Sequence, residues 1–233
     1  MDRNSCNELV RHGESRAIRA TRRSVSGLYV FRGQHGIAFE STLERDFLMR
    51  MEPLFGVLDV SPQPVQLPYR TRSGRASRYT PDYLVRYRLG DRTWSAGRKP
   101  LLVEVKPREV LRSGWLDLRP KFRAARSFAR QQGWEFRIFD ESRIRDATWE
   151  NAMFLRPYRG LAFPKEETEA VIESLKEMGD SPVQYLVGRH FLTDRDRMTG
   201  YALIWSLLAK GEIECDFSRP LAWDTDIWMP TDV

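Results

Sequence analysis

The strongest constraint on the fold is a five-residue run, Leu101-Leu102-Val103-Glu104-Val105, with Lys106 directly after it. An apolar run of this length, rich in Val and Leu, reads as a buried strand. A carboxylate and an ammonium at its end carry a desolvation cost unless they are paired or bind a metal. Being two apart on a strand, Glu104 and Lys106 leave the same face. A second apolar run, Tyr83–Tyr87, precedes it across a Gly-Asp-Arg turn and opens with Pro81-Asp82. Asp82 and Glu104, 22 residues apart in the chain, therefore meet at adjacent strand ends.

The flanking pattern supplies helices. Phe39, Leu43, Phe47, Leu48 and Met51 recur at three- and four-residue steps, which predicts an amphipathic helix starting after Ser41 or the preceding glycine and stopping before Pro53. Val57–Val60 reads as a short strand, Val65–Tyr69 as an extended segment and Arg70–Arg78 as a turn. Trp115–Gln132 has helical spacing up to Gly133, and Trp134–Phe139 alternates as a strand. Helix, three or four strands, helix and strand predict an α/β fold, a mixed sheet flanked by helices. Beyond Phe163-Pro164, helices are predicted around Val171–Met178, Val183–Val187 and Met198–Lys210, with a strand at Ile213–Phe217. That order is winged-helix-like. The expected division is a basic N-terminal arm over 1–36, a sheet domain over 37–163 and a small C-terminal α(+β) domain over 164–233.

Composition narrows the class. With 233 residues, 41% of them hydrophobic and 30% charged, the chain can build one large or two small cores and is not of disordered type. No stretch approaches the ~18 apolar residues of a membrane helix, and the N-terminus lacks an apolar leader segment, so a cytoplasmic setting is expected. Two distant cysteines, Cys6 and Cys215, and three scattered histidines argue against a disulfide framework or a Cys/His zinc site. The net charge of +6 conceals an asymmetry: residues 1–163 carry +13 and residues 164–233 carry −7. A basic segment of this strength points to a polyanionic partner.

Asp82, Glu104, Lys106 and Glu44, on the margin of the first helix, form the chemical constellation. Carboxylates hold hard Mg²⁺ or Mn²⁺ through oxygen. Such a metal activates water and neutralises charge on a phosphorane, while a lysine orients the water or stabilises the transition state. Taken singly, Asp after Pro is a turn former and Glu-x-Lys a cross-strand ion pair. The buried strand and the basic surroundings favour phosphodiester hydrolysis.

Pro81-Asp82…Glu104-Val105-Lys106 resembles the PD-(D/E)xK nucleases of restriction-endonuclease-like fold. Ser41-Thr42-Leu43-Glu44, then Val57-Leu58-Asp59-Val60 leading to Gln63, then Thr80-Pro81-Asp82-Tyr83-Leu84-Val85, then Val103-Glu104-Val105-Lys106-Pro107 and Leu111 resemble the TnsA family. Its members are endonuclease subunits of heteromeric bacterial transposases. The resemblance runs on through Lys121 and the Trp134–Phe139 strand, and the tail lies where that family carries its second domain.

The resemblance implies cleavage at the 5′ ends of a transposon, leaving a 5′ phosphate, while a DDE-type transposase of the TnsB kind cuts and joins the 3′ ends. It implies an AAA+ ATPase regulator of the TnsC kind docking on the C-terminal domain, and leaves room for an RNA-guided targeting complex. Glu44, Asp82 and Lys106 match the family's catalytic positions, and Glu104 a position that is Gln in some relatives. The implied metal ligands are Glu44, Asp82, Glu104 and the backbone carbonyl of Val105, for one or two Mg²⁺ ions with Mn²⁺ as substitute. Arg119–Arg130 contains no acidic residue where relatives carry one, so the number of ions stays open. A stand-alone restriction or repair nuclease, or a non-catalytic DNA-binding scaffold, are the alternatives.

Arg70, Arg72, Arg75 and Arg78 lie in a stretch without acidic residues and either grip phosphates or form a solvated turn. Arg119, Lys121, Arg123, Arg126 and Arg130 give one helix a basic face suited to DNA, and Lys121 is also within possible reach of the active site. Trp115 is expected as a core contact rather than a base-stacking residue, Trp205 and Trp223 as core, and Cys215 as a small buried hydrophobe. The acidic C-terminal domain is expected to dock protein rather than DNA.

Overall fold

Leu101–Val105 is buried at every position, so helices must cover both of its faces. The computed structural model describes residues 25–88 and 98–230. It divides into two compact units, one of residues up to Glu52 plus Gly56–Ile144, the other of Pro53–Phe55 plus Arg145 onward. In the first unit, β1 (Gly27–Phe31) and β2 (His35–Phe39) form a hairpin ahead of α1 (Thr42–Met51). Then follow β3 (Val57–Pro62), the hairpin of β4 (Leu67–Arg70) and β5 (Ala76–Tyr79), β6 (Tyr83–Tyr87), β7 (Leu101–Val105), α2 (Arg108–Gln131), β8 (Glu135–Phe139) and α3 (Glu141–Ile144).

The central sheet runs in the order β3-β6-β7-β8. Its first three strands are antiparallel and β8 is parallel to β7, the mixed sheet that the sequence predicts. On one face Phe47 of α1 stacks on Tyr83, with ring centroids 5.4 Å apart, and meets Phe139 edge-on at 5.2 Å. On the other face Phe122, Ala125 and Phe128 of α2 pack with Leu84 and Leu102.

In the second unit, α4 (Ala147–Leu155) and a 3-10 turn (Arg156–Tyr158) lead to α5 (Lys165–Met178), β9 (Asp180–Pro182), α6 (Val183–His190), α7 (Asp194–Lys210), β10 (Glu214–Cys215) and β11 (Asp226–Trp228). The strands pair in the order β10-β11-β9. Helix, strand, two helices and two strands is the winged-helix order. Leu175, Leu186, Leu203, Ile204, Ile213 and Ile227 form its core. Cys215 is buried there, and burial pushes its thiol pKa up to about 12. Among the described residues no helix is long and apolar enough to cross a membrane.

Several expectations need revision. Residues 1–24 lie outside the described residues, and a boundary at 36/37 cuts through β2. Phe39 ends that strand rather than starting a helix. The Arg70–Arg78 segment is mostly hairpin, its turn closed by Thr71 N–H to Arg75 O at 2.9 Å. The chain parts at Ile144/Arg145 rather than at Phe163-Pro164. The reason lies in α4, whose buried Thr148 and Asn151 find their partners in the tail: Thr148 Oγ1 donates to Phe217 O at 3.1 Å, and Asn151 Nδ2 to Arg219 O at 2.7 Å. Trp205 is buried, but Trp223 is 51% exposed and Trp115, inside α2, 45%. Trp115 leans on the Phe122 ring at 6.1 Å rather than entering the core.

Candidate active site

The strand register brings the chemistry to one sheet end. Tyr83 pairs with Val103 and Leu84 with Leu102. One further step sets Asp82 beside Glu104, and Asp82 N–H donates to Val103 O at 2.9 Å. On the other side Pro62 pairs with Tyr83, and Gln63 N–H donates to Asp82 O at 2.8 Å. Gln63, Asp82 and Glu104 therefore stand in a row across three strand ends. Asp82 Oδ2 accepts a hydrogen bond from Val105 N–H at 2.6 Å. Lys106 is fixed by its backbone, which donates to Phe139 O at 2.9 Å.

Glu104 is 1% exposed and surrounded by donors. Tyr79 Oη donates to its Oε2 at 2.6 Å, Lys121 Nζ to its Oε1 at 2.9 Å, and Lys106 Nζ lies 3.4 Å from Oε1. Two cations and a phenol thus stabilise a carboxylate that burial alone would penalise. The sequence reading makes Glu104 a direct metal ligand; here both its oxygens are already engaged.

Glu44 sits in the first turn of α1, where Ser41 caps the helix. Ser41 Oγ accepts from Glu44 N–H at 3.2 Å and donates to Glu44 Oε1 at 2.9 Å, and Glu40 N–H donates to Glu44 Oε2 at 2.7 Å. This is a variant of the capping box in which the carboxylate reaches the N–H of Glu40, one residue before the cap, so Glu44 has a structural role as well as its place at the site. Burial raises its pKa against these hydrogen bonds. Asp82 is held well above the usual aspartate range, first by burial and then by the charges of Glu104 and Glu44. Burial works against the Lys106 ammonium, but Glu104 and Asp82 outweigh it and keep its pKa above that of an ordinary lysine.

A small open recess is lined by Ala38, Glu40, Glu44, Pro62, Gln63, Asp82 and Tyr83. Its polar donors are all oxygen except for the amide nitrogen of Gln63, a set that suits a hard cation such as Mg²⁺ and not a soft one. Among the described residues no three His, Cys, Asp or Glu side chains are grouped closely enough to hold a cation by themselves. Neutral oxygens would have to complete such a shell.

Residues 56–141 match the family model described as TnsA-like endonuclease N terminal, and residues 143–217 the one described as TnsA endonuclease C terminal. The chain belongs to the TnsA family. No curated protein matches it. The first match contains Asp82, Glu104 and Lys106 and begins after α1, so Glu44 lies outside it. The two matches meet at 141–143, close to the division between the compact units. A TnsA-family chain is a transposase endonuclease subunit, and the family is one of divalent-metal-dependent, DNA-binding nucleases.

The remaining site expectations fall into two groups in this TnsA-family chain. Arg72 and Arg75 are exposed at the hairpin tip, while Arg70 Nη1 donates to Gly74 O at 3.1 Å and Arg78 Nη1 to Gln66 Oε1 at 3.2 Å. Arg119, Arg123, Arg126 and Arg130 are exposed along α2. Lys121 leaves that face and turns inward to Glu104, its side chain only 16% exposed. Sequence reasoning gave Tyr79 and Gln63 no role at the site. No local pattern singles out Tyr79, and only the pairing of β3 with β6 reveals Gln63 as Asp82's neighbour.

Proposed function

We propose that this chain cuts the 5′ strand at the ends of a transposon during excision, by Mg²⁺-dependent phosphodiester hydrolysis at Asp82, Glu44, Glu104 and Lys106. The observation that carries this reading is the convergence of Asp82 and Glu104 at one sheet end beside a lysine held cationic, in a chain that matches both TnsA models. Asp82, Glu44 and the Val105 carbonyl are the first candidates to hold the cation. Bound there, Mg²⁺ would lower the pKa of a coordinated water and neutralise charge on the phosphate.

The protein's own groups do the rest. Lys106 orients the attacking water and faces the charge that develops on the phosphoryl oxygens. Water adds to phosphorus and loses a proton, the bond to the 3′ oxygen breaks, and a 5′ phosphate and a 3′ hydroxyl remain. Glu104, fixed by Tyr79 and Lys121, keeps Lys106 in place.

A DDE-type transposase cuts and joins the 3′ ends in this reading, and an AAA+ ATPase docks on the second unit. The charge of −7 over residues 164–233 supports a protein partner there, because phosphate would be repelled. Such a machine acts on DNA in the bacterial cytoplasm.

The test is strand cleavage of a transposon-end duplex with Mg²⁺ or Mn²⁺, with and without the two partners, comparing wild type with Asp82→Ala and Lys106→Ala. Partner-dependent 5′-strand cuts lost in both variants are expected. Efficient cutting by the chain alone would make it an independent nuclease, and normal excision by both variants would leave it a scaffold.

A further inference from the structure

Gln63 is held in a backbone conformation that its residue type rarely takes. Its φ is +44°, in the left-handed region that favours glycine. Strain of this kind persists only where the surroundings impose it, and it clusters at functional sites. Two hydrogen bonds impose it here: the Gln63 N–H donates to Asp82 O at 2.8 Å, and Gln63 Nε2 donates to Glu40 Oε1 at 3.1 Å.

The second bond orients the amide. With its NH₂ facing the Glu40 carboxylate, the Oε1 acceptor points elsewhere; the flipped amide would set two acceptors against each other. Oε1 is buried and has no hydrogen-bond partner among the described residues. A buried carbonyl oxygen left unsatisfied costs free energy that native structures rarely accept without a reason. Gln63 lines the recess that Asp82 and Glu44 also line. In that recess the acidic side chains are not grouped closely enough to hold a cation by themselves, and hard cations accept amide and carbonyl oxygens beside carboxylates.

We infer that Gln63 Oε1 is a ligand of the divalent cation, the neutral oxygen that completes the donor set begun by Asp82 and Glu44. The inference rests on the metal-dependent nuclease reading above. It assigns the strained backbone a purpose: the left-handed turn after β3 carries an oxygen to the recess that an extended residue would carry elsewhere.

The experiment is Mn²⁺ titration of the full chain, following the free-ion signal by electron paramagnetic resonance. Wild type, Gln63→Met, Gln63→Glu and Asp82→Ala are compared, and their metal-free folding is checked by circular dichroism. Gln63→Met keeps the size and loses the oxygen, so binding should weaken by about tenfold. Gln63→Glu supplies a charged oxygen at the same place and should bind more tightly than wild type. If Gln63→Met binds like wild type while Asp82→Ala does not bind, the inference is overturned and the nuclease reading stands. If wild type takes up no Mn²⁺, or Asp82→Ala binds equally well, the metal reading itself fails. Should Gln63→Met not fold, Gln63→Glu decides: tighter binding supports ligation, and unchanged affinity rejects it.

Discussion

Lys121 Nζ reaches from α2 to Glu104 Oε1 at 2.9 Å, so the buried carboxylate on β7 is neutralised from the helix as well as from its own strand. Removing one partner of a buried pair strands the other charge, at a typical cost of ~3–5 kcal/mol. Lys106 and Tyr79 remain with Glu104, so Lys121→Met should cost roughly 2 kcal/mol, below that range. Adding Glu104→Gln should recover part of the loss. Denaturant unfolding of the two single variants and the double variant measures the coupling, and additive losses would show that the pair is not energetically joined.

Asp82 sits in a site that favours its neutral form, through burial and through Glu104 and Glu44. A folded-state pKa raised above the unfolded value means that folding is helped below about pH 4 and that this help is lost as pH climbs through the raised value. Glu44, also raised, has the same sign. Metal-free protein should therefore lose stability as pH rises above about 4 and through the two raised values. Asp82→Asn should flatten that slope and stabilise the metal-free chain at neutral pH by about 1 kcal/mol, while cleavage is lost. Thermal melts at several pH values in chelator check it; a less stable Asn variant at neutral pH would refute the strain.

Much of this site is legible in the sequence because its parts are local. Pro81-Asp82 and Glu104-Val105-Lys106 lie at strand ends, and a two-residue period is enough to put Glu104 and Lys106 on one face. The strands β6, β7 and β8 and the helix α2 announce themselves by apolar runs and spacing. What stays hidden depends on pairing across distance. The β3–β6 register that brings Gln63 to Asp82, the Tyr79 hydroxyl on Glu104 and the inward turn of Lys121 have no local signal. Arginine-rich Arg70–Arg78 reads as a turn because exposed hairpin strands carry no apolar alternation. The helix α4 escapes notice because Trp149, Met153, Phe154 and Leu155 do not repeat at a clear helical period.

Gly200 in α7 stands against the Phe191 ring; a Cβ there would lie 2.4 Å from Cδ2. Alanine normally gains about 1 kcal/mol over glycine inside a helix. Here the overlap with a buried ring should reverse the sign, and Gly200→Ala should destabilise by roughly 1–3 kcal/mol. Phe191→Leu, which withdraws the ring, should relieve the clash in the double variant. Calorimetric melts of the three proteins decide it, and a stabilised Gly200→Ala would mean that Phe191 moves aside freely.

The arginines of α2 differ from Lys121 in where they point, and salt dependence can separate them. Arg123 and Arg126 are exposed, whereas Lys121 is spent on Glu104. Each phosphate contact to duplex DNA contributes about 0.9 to the slope of log affinity against log salt. If the exposed face meets the backbone, Arg123→Ala with Arg126→Ala should reduce that slope by nearly 2, about the sum of two contacts. Lys121→Met should leave the slope unchanged despite removing the same kind of charge. Fluorescence anisotropy on a transposon-end duplex between low and moderate salt gives both slopes. An equal drop for Lys121→Met would place its ammonium on DNA rather than on Glu104, and an unchanged slope for the double arginine variant would remove this face from the DNA interface.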